Sequence, residues 1–171
     1  AEFFDLDVIA TMEDDNAILY HGVGDFDADG NPDIAISGWT FKWPYPEFPK
    51  RSNFVLFEAD IDSTQLLSSI DLTGTETSSG TAFLRFVDIE NDGDQDLLVL
   101  SHNEAPFVPL ESKLYRNKGD NFVSEDIFPK MAVHEASLGD FNGDGFVDIF
   151  AGAYQSDISF EAYKDQLGEV S

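Results

Sequence analysis

Three short acidic stretches constrain this 171-residue chain more than anything else in it. They read GDFDADGNPDIAIS at 24–37, VDIENDGDQDLLVL at 87–100 and GDFNGDGFVDIFAG at 139–152. Each sets oxygen-bearing side chains at positions 1, 3, 5 and 9 of a nine-residue segment, with glycine at position 6. The sets are Asp25, Asp27, Asp29 and Asp33; Asp88, Glu90, Asp92 and Asp96; and Asp140, Asn142, Asp144 and Asp148, with Gly30, Gly93 and Gly145 at the turn. All three then enter an apolar run. The motif returns after 63 residues and again after 52, the mark of a repeated supersecondary unit.

Carboxylates that converge repel each other, by roughly 4 kcal/mol per pair at about 4 Å and an effective dielectric near 20. A chain tolerates this if the loop stays splayed in water or if a cation sits at its centre. Alternate positions in a tight loop point the same way, so positions 1, 3 and 5 converge. Glycine permits the sharp turn, and position 7 can offer its backbone carbonyl. That role ignores side-chain identity, in keeping with Asn31, Asp94 and Phe146 there. Position 9 closes the cage. Hard oxygen ligands in a flexible loop suit calcium better than zinc, and magnesium demands stricter octahedral geometry. The chain has no cysteine, so thiolate metal sites are excluded. The expectation is about three calcium ions. An EF-hand would need a bidentate Glu at position 12, where this chain has Ile36, Val99 and Ala151. A solvated acidic loop or Asx-turn would account for one copy more readily than for three at matching positions.

The charge balance narrows the partners. Acidic side chains number 34 against 9 basic, for a formal charge of −25. The loops hold four, four and three of those carboxylates, so three calcium ions would leave the surface strongly acidic. Binding to nucleic acid or anionic lipid is disfavoured. No apolar stretch approaches 18 residues, so no membrane insertion is expected. At 42% hydrophobic and 13% aromatic the composition is that of a folded domain. Extracellular modules hold calcium at about 10⁻⁴–10⁻³ M, which a cytosol could not saturate, so the expected location is extracellular, cell surface or periplasmic. The Ala1-Glu2-Phe3 start is compatible with a processed terminus.

Period-two apolar patterning gives strands and hardly any helix. Segments 17–26, 34–40, 53–61 and 65–72 form a first unit of four. A second unit follows at 82–89, 97–102, 113–117 and 121–126, its last pair joined by the hairpin turn Lys118-Gly119-Asp120. The third unit supplies 132–141, 147–154 and 158–163. The segment EFFDLDVIA at 2–10 is available as its fourth strand, giving twelve strands in all.

The loops and the runs DIAIS, DLLVL and DIFAG behind them resemble FG-GAP/VCBS repeats, the calcium-loop blades of integrin α-type β-propellers. LYRNKGDNFVSED at 114–126 is similar to the hairpin of the VCBS version. The resemblance covers roughly residues 15–154. It implies an all-β, β-propeller-like fold of about three four-stranded antiparallel blades, with calcium in the loop between first and second strands. The chain then reads as a single repeat domain over 1–171, with blades near 11–74, 75–128 and 129–171, the last completed by strand 2–10. Glu90 stands where the family usually has Asp or Asn, and a Phe-Gly pair is missing before each loop.

Propellers usually need about 4–8 blades to close, and an open arc exposes sheet edges. Self-association or docking onto a larger assembly is therefore expected. Two Pro-aromatic loops offer binding surface: GWTFKWPYPEFPKR at 38–51 and HNEAPFVPLESK at 102–113. Trp39, Trp43 and Tyr45 are the candidates for gripping a protein or glycan ligand, against a local core, the reading favoured for Phe41 and Phe48. No catalysis is expected. Nothing in the spacing of His21, His102 and His134 makes them converge, and Ser37 and Ser101 lack a nucleophile elbow. The function read from sequence is a calcium-binding extracellular module for adhesion, binding or assembly. The rival readings are a structural subunit of a larger complex and an accessory domain of a secreted carbohydrate-active enzyme.

Overall fold

Residues 97–100, Leu-Leu-Val-Leu, are buried on both faces of their strand, which forces that strand between two other layers. Leu97 and Val99 enter one core with Leu84 and Tyr115, while Leu98 and Leu100 enter another with Phe83 and Leu114. Side chains alternate at a period of two, so apolar residues at both parities require a partner on each side.

The computed structural model describes residues 17–40, 54–59, 66–71, 81–102, 111–119, 122–128 and 131–154, and these are all-β. No helix among them is long and apolar enough to cross a membrane. The first sheet runs in the order β1 (Ala17–Gly24), β2 (Asp33–Thr40), β3 (Phe54–Ala59), β4 (Leu66–Asp71). The second repeats it with β5 (Thr81–Val87), β6 (Asp96–Ser101), β7 (Ser112–Asn117) and β8 (Phe122–Phe128). The third contains β9 (Ala132–Gly139) and β10 (Asp148–Tyr154). Every neighbouring pair is antiparallel. The expected strands at 2–10 and 158–163 lie outside the described residues.

One correction applies to all three units. The strands expected at 17–26, 82–89 and 132–141 stop two residues earlier, at Gly24, Val87 and Gly139. Position 2 of each motif leaves the ladder because the position-9 carboxylate takes its N–H. Position 9 instead opens the second strand. Gly24 pairs with Asp33, Val87 with Asp96 and Gly139 with Asp148, so each acidic loop closes directly on the last rung of a hairpin.

The sheets stack through their first strands. Between the first and second lie Phe26, Ala35, Leu84, Leu97, Val99 and Tyr115, with Phe26 tilted against Phe122 at 6.0 Å. Between the second and third lie Phe83, Val87, Leu98, Leu100, Leu114 and Val133, with Ile89, Leu138 and Ile149 packed on them. Each fully buried leucine contributes about 1.5–3 kcal/mol, and there are five such in the middle sheet: Leu84, Leu97, Leu98, Leu100 and Leu114. The first seam is also polar. Ser37 Oγ and Thr81 Oγ1 share a buried hydrogen bond of 2.7 Å, and the Arg85 guanidinium donates to the His21 carbonyl at 3.0 Å. Backbone approaches so closely here that a Cβ on Gly24 would sit 2.3 Å from Gln95 Oε1 and 2.5 Å from Phe86 Cβ.

Candidate metal centre

The three acidic loops are built by the same hydrogen bonds. The position-1 carboxylate accepts the position-6 glycine N–H: Gly30 to Asp25 at 3.0 Å, Gly93 to Asp88 at 2.9 Å, Gly145 to Asp140 at 2.9 Å. The position-5 carboxylate accepts the N–H of position 7: Asn31 to Asp29, Asp94 to Asp92 and Phe146 to Asp144. The position-9 carboxylate accepts the N–H of position 2, from Phe26 to Asp33 and from Phe141 to Asp148, both at 2.9 Å, and from Ile89 to Asp96. These contacts fold nine residues into a ring.

The backbone bends twice in each ring. Position 6 has φ of 89°, 96° and 90° at Gly30, Gly93 and Gly145, the left-handed region that glycine occupies without penalty. Position 4 is left-handed too, at Ala28 (59°), Asn91 (56°) and Gly143 (81°). Sequence reasoning missed this second bend because three unlike residues share it.

Loop one brings its ligands together most closely. Asp25, Asp27 and Asp29 each offer a carboxylate oxygen, all within 4.8 Å of one another, the one such group of three among the described residues. The Oδ1 atom of Asp25 is buried and receives no hydrogen bond. Three anions this close oppose one another by roughly 3–4 kcal/mol per pair at an effective dielectric near 20, and a buried carboxylate oxygen without a donor adds a desolvation penalty. A divalent cation would relieve both, so these residues fit a hard, oxygen-seeking ion. Position 9 behaves differently: Asp33 and Asp96 are buried, and each already closes its ring.

In loop three, Asn142 replaces a carboxylate at position 3 and donates to Asp144 at 3.0 Å. The backbone N–H of Gly145, with those of Gly143 and Asp144, holds the exposed Asp140 carboxyl below its ordinary range. In loop two, Glu90 turns to cations of the next hairpin, pairing with Arg116 and with Lys118 Nζ at 3.5 Å. Burial, together with the Glu90 carboxyl beside it, pushes Asp96 up to about 6.

Loops one and two are joined. Gln95 Oε1 accepts the Asp25 N–H at 2.9 Å. The Asn117 side chain donates to the Phe26 carbonyl at 2.6 Å and to the Gln95 carbonyl at 3.3 Å, while its own N–H reaches Asp96 at 2.8 Å. Gln95 is position 8 of the second motif and Asn117 lies outside it, and neither is among the oxygen positions the motif nominates.

Among the aromatics, Trp39 lies on β2, its backbone opposite Ile18, while Phe41, Trp43, Tyr45 and Phe48 lie outside the described residues. Two of the three histidines do meet, contrary to expectation. The rings of His102 and His134 stand 4.2 Å apart across the second seam, because β6 and β9 pack against each other. Ser37 and Ser101 are buried, Ser37 bonded to Thr81 across the first seam and Ser101 to Ser112 within the second sheet.

A family model for the FG-GAP-like repeat matches residues 88–151, and one for the FG-GAP repeat matches residues 132–171. The first begins at position 1 of loop two and spans loop three. No curated protein and no solved structure matches the chain.

Proposed function

We propose that this chain, an FG-GAP repeat protein, is a calcium-stabilised, β-propeller-type module that binds or assembles and does not catalyse. The observation that carries the reading is loop one: three carboxylates within 4.8 Å and a buried Asp25 oxygen without a donor. Asp25, Asp27 and Asp29 would hold the ion, with the Asn31 carbonyl and Asp33 as further candidates. Asp140, Asn142, Asp144, the Phe146 carbonyl and Asp148 are the counterparts in loop three. The ion supplies positive charge where the fold has concentrated negative charge. Folding would then be coupled to metal occupancy, and the weak affinity of such loops would place the protein in an extracellular setting.

The stacking pattern supports a propeller that continues past the third sheet. Position 2 and position 11 of each motif face forward, toward the following sheet. Phe26 and Ala35 fill the first seam, and Ile89 and Leu98 fill the second. Their counterparts Phe141 and Phe150 are 61% and 72% exposed. An apolar pair of that size, placed where two earlier pairs are covered, fits a further blade from this chain or from a second copy. Protein or glycan binding through Trp39, Trp43 and Tyr45 belongs to the same proposal.

Thermal unfolding with calcium and with chelator tests the metal. A rise in Tm with calcium that Asp25→Asn with Asp29→Asn reduces is expected, and a chelator-insensitive Tm in the parent chain would overturn the reading. Sedimentation of Phe150→Ser beside the parent tests the forward face, with weaker self-association or lower stability expected.

A further inference from the structure

We propose that the second acidic loop is closed by the chain's own cations, Arg116 and Lys118, and that it is the one loop of the three that binds no calcium at concentrations filling the other two. The inference rests on the calcium reading of loops one and three. Loop two has a carboxylate at each of positions 1, 3 and 5, as loop one does. Yet Asp88, Glu90 and Asp92 do not gather within 4.8 Å, whereas Asp25, Asp27 and Asp29 do.

The reason lies at position 3. Glutamate is one methylene longer than the Asp27 and Asn142 that stand there in the other loops. Its carboxylate reaches the β7–β8 hairpin, where Arg116 Nη1 takes one oxygen and Lys118 Nζ lies 3.5 Å from the other. Arg116 is fixed from its far side by Glu125 at 2.7 Å, so the guanidinium bridges two carboxylates in a half-buried setting. A planar fork held at both ends loses little further freedom in making the pair. Asp27 and Asn142 have no Lys or Arg partner among the described residues. Two positive charges at the ring do what an ion would do, and they also repel one. For calcium to enter, Glu90 must leave Arg116 and Lys118, and the ring must then accept two more positive charges beside them.

The consequence is a division of labour. Loop two sits in the middle sheet, packed on both faces, and is stapled without regard to calcium. Loops one and three would respond to the ion.

Calcium titration of the whole chain, followed by ¹⁵N–¹H spectra, reads each loop separately through the amides of Gly30, Gly93 and Gly145. Each of these amides is bonded to its own position-1 carboxylate. The expected result is saturable shifts for Gly30 and Gly145 and none for Gly93, with a stoichiometry of two by calorimetry. In Arg116→Met with Lys118→Met, Gly93 should shift as well and the stoichiometry rise to three. Parent-chain shifts of all three glycines at similar calcium would overturn the inference while leaving the calcium reading intact. No shift at any glycine up to millimolar calcium would overturn both. The parent titration decides the matter by itself, even if the double variant fails to fold.

Discussion

The side-chain amide of Asn117 donates to the backbone carbonyl of Phe26 at 2.6 Å, across 91 residues of chain and from one sheet to the next. Phe26 is position 2 of the first acidic loop, and Asn117 ends β7 in the second sheet. The same Asn117 binds Asp96 of loop two through its N–H at 2.8 Å and accepts the Gly119 N–H at 2.9 Å. One asparagine therefore ties loop one, loop two and the β7–β8 turn together.

Asn117→Ala should destabilise the protein by about 2–4 kcal/mol, because it strips a partner from the buried Phe26 carbonyl and from the Gly119 N–H. Urea unfolding is the measurement, with a lower midpoint at unchanged slope expected. Asn117→Asp keeps the size and the acceptor for Gly119 but lacks the donor to Phe26, so it should lose a comparable amount. A variant within about 0.5 kcal/mol of the parent would show that the seam does not depend on this contact.

Gly24 makes a sharper steric prediction. A methyl there would overlap Phe86 Cβ at 2.5 Å and Phe86 Cγ at 2.6 Å, and the middle sheet has no slack to receive it. Gly24→Ala should cost about 1–3 kcal/mol or more by overpacking. Gly152 on β10 is the control, since nothing lies within 4 Å of its added Cβ. Gly152→Ala should be neutral or mildly stabilising. Equal losses at both positions would point to a general intolerance of these strands and away from the Gly24 contact.

What could be read from the chain beforehand was whatever local spacing controls. The ring of positions 1 to 9 is built from bonds spanning two to seven residues, such as Gly30 to Asp25 and Phe26 to Asp33, so its outline follows from the motif. The unbroken apolar run Leu97 to Leu100 is likewise local, and its burial on both faces follows from it. Contacts between sheets were not legible. Asn117 with Phe26, Gln95 with Asp25 and His102 with His134 join residues 32 to 91 positions apart, and the stacking of sheets chooses them. Glu90 is the instructive case: the motif nominates it as a ligand, and a hairpin 26 residues later takes it as an ion-pair partner.

Position 4 offers a prediction about backbone strain. Ala28 holds φ at 59° where Gly143 holds 81° in the equivalent place. An L-residue with a Cβ is penalised in the left-handed region by roughly 1–2 kcal/mol, part of which glycine returns through its freer unfolded state. Ala28→Gly should therefore stabilise by about 0.5–1 kcal/mol, and Gly143→Ala should destabilise by a similar amount. Paired thermal melts in calcium-free buffer would measure both. A loss of stability in Ala28→Gly would mean that the strain at this turn is relieved elsewhere in the ring.

Acidity should act on Asp96 and Asp140 in opposite directions. Burial first, and then the Glu90 carboxyl, push Asp96 up to about 6, against the pull of the Asn117 and Ile89 N–H groups. A free aspartate titrates near 3.8. The native state therefore holds the Asp96 proton more tightly than the unfolded chain does. Its contribution is complete below about 4 and lost as pH rises through about 6. Asp140 is lowered by the Gly145, Gly143 and Asp144 N–H groups, so its contribution is present at neutral pH and lost only as pH falls below 3.8. In chelator, the urea midpoint should thus rise as pH drops from 7 to 5, and Asp96→Asn, which keeps one oxygen for the two N–H donors, should flatten that rise. Subtracting the variant's profile from the parent's removes the share of every other group. Identical profiles in the two proteins would show that Asp96 carries no buried charge cost.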